Sequence, residues 1–104
     1  MSGRLLHLKK IARDSRDSKE LEVVLAHAEL HSRDSANLML ILAANPHLTG
    51  SQLARLSKIG DDAVCLIIAG NERVLPETLE VLAHHASDTV KKRAAKKLSA
   101  RKKY

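Results

Sequence analysis

His27 and His31 stand four residues apart. On a helix that spacing puts two imidazoles on one face, as two ligands of one metal ion require. The string His27-Ala28-Glu29-Leu30-His31 departs from the zinc-protease pattern His-Glu-x-x-His at the decisive place. Its Glu follows the first His by two residues, about 200° around a helix, so Glu29 faces away from the pair. No third ligand is identifiable, and no metal site is expected. His84 follows Ala83 as His27 follows Ala26, which favours a repeated surface position, and His85 adds a neighbouring imidazole. Cys65 is the only cysteine, so no intramolecular disulfide can form. It lies in the apolar run Val64-Cys65-Leu66-Ile67-Ile68 with no base or cation beside it to favour a thiolate, and a buried hydrophobe is expected. Asp61-Asp62 reads as a helix N-cap rather than an acid pair, and Asp14, Asp17 and Asp34 lie in similar breaks. No Gly-x-Ser-x-Gly turn and no Gly-rich phosphate loop occurs. The expectation is a protein without catalytic residues, cofactor or metal.

The remaining candidate chemistry is electrostatic. The net charge is +6 over 104 residues. Residues 1–90 carry ten Lys and Arg against all twelve acids, a net −2, whereas residues 91–104 carry eight cations and no acid. Those cations are Lys91, Lys92, Arg93, Lys96, Lys97, Arg101, Lys102 and Lys103. They are the candidate contacts to a polyanion, either nucleic-acid phosphate or an acidic protein surface. Base reading is not expected: Tyr104 is the only aromatic residue, and no Asn or Gln lies among these cations. A solvated capping helix would carry the same charges, because cations suit a helix C-terminus.

Seven helices must position these groups. The first is expected over about Arg4–Arg13. The second, about Lys19–His31 with Ser18 as N-cap, carries Leu21, Val24, Leu25 and Ala28 on one stripe. Ser32–Ser35 breaks the chain, with Asp34 or Ser35 to cap the next helix. Ala36–Ala44 is apolar nearly all round, the mark of a sandwiched helix, and Asn45-Pro46 ends it. Thr49 caps a short helix holding Leu53 and Leu56. Asp61 or Asp62 caps a second apolar helix, Ala63–Ala69, which Gly70-Asn71 closes in left-handed geometry. Pro76 opens a sixth helix with Leu79, Leu82, Ala83 and Ala86 inward. Asp88 caps the last, with Val90, Ala94, Ala95 and Leu98 inward. Without Trp or Phe, the core is built from Leu, Ile, Val and Ala, which suits helix-on-helix packing. No apolar stretch approaches a membrane span and no secretory leader is visible, so a cytoplasmic protein is expected.

The helices share a frame. Ala12 to Ala26, Ala43 to Ser57 and Ala69 to Ala83 are each fourteen residues, and Ser57 to Ala69 and Ala83 to Ala95 are each twelve. Fourteen and twelve together make one repeat, and a fixed repeat of this size marks stacked helical hairpins, none of which can bury its apolar face alone. Ala26 to Ala43 is seventeen, so five extra residues lie near Ser32–Ser35. The organisation expected is one domain: a degenerate unit and insertion over 1–35, regular repeats over 36–90, and a basic helix over 91–104.

Ala43-Ala44-Asn45-Pro46-His47-Leu48-Thr49, continuing to Leu53, Leu56 and Ser57, resembles the unit of the leucine-rich repeat variant family. The copy from Ile68-Ala69-Gly70-Asn71 through Pro76, Leu79, Leu82 and Ala83 fits as well. Asp88-Thr89-Val90-Lys91 matches the family's Asp-x-x-Val-Arg step with Lys for Arg, and Asp62-Ala63-Val64-Cys65 departs from it at Cys65. The resemblance covers residues 38–95. It implies an all-α fold, a short right-handed α-solenoid of about three helical hairpins with a capping C-terminal helix. Alternating α and 3-10 helices in that family imply 3-10 character near Thr49 or Pro76. It supplies no catalytic residue, and the iron–sulfur module of some members needs clustered cysteines.

The function expected is a non-enzymatic helical-repeat binding module, its repeat surface contacting protein and its basic C-terminal helix contacting an acidic partner or nucleic acid. The alternative is a nucleic-acid binder using phosphate contacts with little base preference. A small regulator or inhibitor of another protein is a weaker third. If Lys92, Arg93, Lys96 and Lys97 join Arg55, Lys58 and Arg73 on one face, the nucleic-acid reading gains. The end faces of so short a stack could also pair with a second copy. No membrane contact is expected.

Overall fold

Residues 2–101 are described by a computed structural model of the chain, and all structural statements concern them. They form seven α-helices: α1 Ser2–Asp14, α2 Ser18–Leu30, α3 Ala36–Ala43, α4 Gly50–Ile59, α5 Asp62–Gly70, α6 Pro76–Leu82 and α7 Asp88–Arg101. No strand occurs among the described residues, so the chain is all-α. Helices α1, α3, α5 and α7 pack side by side in that order, forming one row. Helices α2, α4 and α6 lie against this row, each packed on the odd-numbered helices before and after it. The assembly measures 46 × 26 × 16 Å.

Local chemistry sets the helix ends. Asp17, not Ser18, caps α2: its carboxylate accepts from Lys19 N at 2.9 Å, and Ser18 is already helical. Ser35 precedes α3, but its hydroxyl donates backward to His31 O at 2.7 Å instead of capping forward. Thr49 and Gln52 form a reciprocal capping box on α4, Gln52 N to Thr49 Oγ1 at 3.1 Å and Thr49 N to Gln52 Oε1 at 3.0 Å. Asp61 caps α5 by accepting from Val64 N at 3.0 Å, and Pro76 occupies the first turn of α6. With those first turns satisfied or pre-set, α4 and α6 start as α-helices, and the 3-10 character expected near Thr49 or Pro76 is not found. The one 3-10 helix among the described residues is Ser32–Asp34, where the five extra residues fall.

The core is a single aliphatic cluster. Leu21, Val24, Leu25 and Ala28 of α2 are all fully buried. Leu38, Met39, Leu42 and Ala43 of α3, and Val64, Cys65, Ile68 and Ala69 of α5, are buried between neighbours on both sides. Fully burying one such Leu or Ile is worth about 1.5–3 kcal/mol. Ala86 and Ala95, both expected inside, are exposed. Helix α6 ends at Leu82, so Ala86 lies in the turn beyond it. Ala12, Ala43 and Ala69 are each fully buried at the frame position, each under a following helix; Ala95 has the same position, and no helix follows it among the described residues.

Two asparagine turns tie successive helices of the row together. Asn45 donates through Nδ2 to Ala12 O at 2.9 Å and Ser15 O at 3.0 Å, while its Oδ1 accepts from His47 N at 2.7 Å. Asn71, 26 residues later, donates through Nδ2 to Ala43 O at 3.0 Å and Asn45 O at 3.4 Å, and its Oδ1 accepts from Arg73 N at 2.9 Å. Each amide thus satisfies the carbonyl of the frame alanine at the end of the preceding odd-numbered helix, one of the groups a helix leaves unpaired. Asn71 is extended (φ −75°, ψ 132°), and no described residue has positive φ, so the left-handed close expected at Gly70-Asn71 does not occur. The turns are pinned by Leu48 and Val74, which are likewise separated by one repeat and both buried.

Candidate polyanion-binding site on the C-terminal helix

Val90 and Ala94 are buried against α5 and α6, and Leu98 is half-buried, so one stripe of α7 is committed to the core. Beside it runs a second stripe, Arg93, Lys97 and Arg101, at four-residue spacing. This stripe faces the turn between α5 and α6. Arg101 donates through Nη1 to Val74 O at 2.7 Å and through Nη2 to Glu72 O at 3.1 Å. Lys97 Nζ lies 2.8 Å from the Glu72 carboxylate, and Arg93 Nη1 reaches Leu66 O at 3.4 Å. Lys97 above all, with Arg101, holds the Glu72 carboxyl below its usual range. Lys97 stands 26 residues after Asn71, and here cationic side chains hold the preceding turn, as Asn45 and Asn71 hold earlier backbone.

Of the eight candidate cations six lie among the described residues, and of these Lys91, Lys92, Arg93 and Lys96 are exposed. Lys92 and Lys96 are exposed, four residues apart, and have no ion-pair partner among the described residues. Lys91 is exposed and lies 3.6 Å from Asp88. Arg93 is exposed too, but its guanidinium is turned toward the end of α5. Lys102, Lys103 and Tyr104 lie outside the described residues.

Arg55 and Arg73 are not placed with the outward stripe of α7. Arg55, on α4, bridges to α2: it lies 2.7 Å from the Glu22 carboxylate and forms two bonds to Glu29. This hydrogen bonding lowers the Glu29 pKa and raises that of the guanidinium. Arg73 donates to His47 O at 3.4 Å, and Lys58 is exposed near the end of α4. Nothing in the local sequence announces the Arg55 pairs, which span 26 and 33 residues. The asparagine turns could have been found, since Asn-x-x-Leu at Asn45 and Asn-x-x-Val at Asn71 recur at the repeat period.

The His27 and His31 rings lie 4.7 Å apart at 42° and line an open cleft with Arg4, Leu5, Leu8 and Asp34. Partial burial, then the neighbouring His31 and Arg4, lower the His27 pKa. No group of three or more His, Cys, Asp or Glu suited to a metal ion occurs among the described residues. His84 is exposed, with Nδ1 3.0 Å from Glu80 O, and His85 Nδ1 accepts from Ser87 N. Cys65 is buried, its thiol 3.6 Å from Ser57 O. Burial, with Asp62 and Asp61 nearby, pushes its pKa up, the opposite of what a nucleophile needs. No described helix is long and apolar enough to cross a membrane. No family model, curated protein or solved structure matches the chain.

Proposed function

We propose that the chain is a short right-handed α-solenoid of the leucine-rich repeat variant kind, acting as a non-enzymatic module that binds an acidic protein partner through α7. The solenoid reading is supported by the two asparagine turns, which make the same bonds at positions one repeat apart. The binding reading is carried by the division of labour on α7. Arg93, Lys97 and Arg101 reach back to the α5–α6 segment, whereas Lys92 and Lys96 present unpaired charge to solvent.

Deleting residues 91–104 would remove Ala94 from the core, so charge reversal is the proper test. Lys92→Glu with Lys96→Glu should keep the helical circular-dichroism spectrum and weaken binding of a polyglutamate peptide, with an affinity in the parent that falls as salt rises. Equal binding by the double variant would refute the site. A short DNA duplex bound much more tightly than polyglutamate, by the same lysines, would favour phosphate as the target.

A further inference from the structure

The repeat frame also relates the outward faces of α1, α3, α5 and α7. Three outward positions recur on each helix: three residues before the frame alanine, two before it, and one after it. On α1 they hold Lys9, Lys10 and Arg13, and on α7 Lys92, Arg93 and Lys96. On α3 they hold Leu40, Ile41 and Ala44, and on α5 Leu66, Ile67 and Gly70. All six positions on the outer helices are cationic in a chain with 18 Lys and Arg among 104 residues, and all six on the inner helices are non-polar. The row order α1, α3, α5, α7 makes this one continuous face.

The middle of that face is low and dry. Leu40, Ile41, Leu66 and Ile67 are half-buried, whereas Ala44 and Gly70 are exposed and have little or no side chain to rise above them. An open cleft of about 290 Å³ lies there, lined by Ala43, Ala44, Ile67, Gly70, Asn71 and Arg93. A Cβ placed on Gly70 would lie 3.4 Å from Arg93 Nη1, so the cationic wall stands directly beside the apolar floor. With neighbouring helices about 8–10 Å apart, the two walls are separated by about 25–30 Å.

We propose that this face binds a protein segment with an apolar centre and acidic residues on both sides of it. The proposal rests on the reading of the chain as a protein-binding module and names its partner's pattern. Charge complementarity at two separated walls fixes the register of such a segment, and the floor between them takes its aliphatic side chains out of water. Nucleic acid fits this face poorly. Its phosphates are evenly spaced, one per about 3.4 Å of helix axis on each strand of a duplex, and those over the floor would meet aliphatic groups and no cation.

The test is fluorescence anisotropy with a labelled peptide carrying Glu-rich ends and a Leu/Ile-rich centre. Its controls are the same peptide with a Ser-rich centre, one with Lys-rich ends, and a short DNA duplex. The first peptide should bind at least about tenfold more tightly than each control. Gly70→Glu and Ala44→Glu on the floor, and Lys10→Glu on the far wall, should each weaken it by about tenfold; all three residues are exposed, and a thermal melt reports whether each variant folds. Equal affinity for the Ser-centred peptide, or no effect of Gly70→Glu, Ala44→Glu and Lys10→Glu, overturns the proposal. If Lys92→Glu still weakens binding in that case, the α7 module survives it. Preference for DNA over every peptide overturns both.

Discussion

Replacing Asn45 by Ala should cost more than so small a side chain suggests. The residue is almost wholly buried, and it makes three hydrogen bonds, to Ala12 O, Ser15 O and His47 N. Each such bond contributes about 1 kcal/mol net, and a buried group left without a partner costs about 1–3 kcal/mol. Ala12 is itself fully buried, so water has poor access to its carbonyl when the amide is gone. The expected loss is about 2–4 kcal/mol. With an m-value of about 1.5 kcal/mol/M, the urea midpoint should fall by about 1.3–2.7 M. Asn71→Ala is the internal comparison. Asn71 also makes three hydrogen bonds, to Ala43 O at 3.0 Å, to Asn45 O at a longer 3.4 Å and from Arg73 N, but it is only half-buried and should lose about 1–2 kcal/mol. Urea unfolding followed by far-ultraviolet circular dichroism measures both. A loss below about 0.5 kcal/mol for Asn45→Ala, or a larger loss for Asn71→Ala, would show that the turns are not what joins the hairpins.

Other contacts lead to two further outcomes. Gly50→Ala places a Cβ 2.8 Å from Arg73 O and 2.7 Å from Leu75 Cδ2, so the α5–α6 segment must move; calorimetry should show a loss of about 1–3 kcal/mol. Glu29 and Glu72 have lowered pKa values in the folded state, so their pairing stabilises the fold above the ordinary carboxylate value of 4.5 and is lost as pH falls through the lowered values. Arg55→Gln with Lys97→Gln should therefore flatten the decline of melting temperature below pH 4.5, and an unchanged acid limb would exclude these pairs as its cause.

The features legible in the chain are mostly those that neighbouring residues decide among themselves. Thr49, Asp61 and Pro76 announce helix starts because a cap or a fixed φ acts within one turn. The Leu21, Val24, Leu25, Ala28 stripe predicts a buried face because its spacing is that of the helix itself. Ser18 is the expected cap of α2 and Asp17 is the actual one, a one-residue choice between two competent acceptors. The long-range polar contacts are not legible. Asn71 adjoins Gly70, and local reasoning assigns the pair a left-handed turn, while the partner that keeps Asn71 extended is a carbonyl 28 residues earlier. Helical angle alone puts Arg93 on the outer side of α7, but its long side chain bends back to Leu66 O. Lys97 and Arg101 carry no sign in sequence that their charges serve the turn before them.

The asparagine turns are directional, since each reaches back to an earlier helix, and the Ala43 carbonyl beside the first turn is taken up by the second. The stretch from Ala44 to Ala69 thus has one bonding end of each kind. Tandem duplication of that stretch would join to itself at both seams without a new contact being invented. Each added copy would lengthen the row by about one helix spacing, about 8–10 Å. It would widen the apolar interval while leaving the lysine-rich ends unchanged. If the face binds a segment as proposed, the same operation offers an engineer a ruler graduated in steps of one inserted stretch.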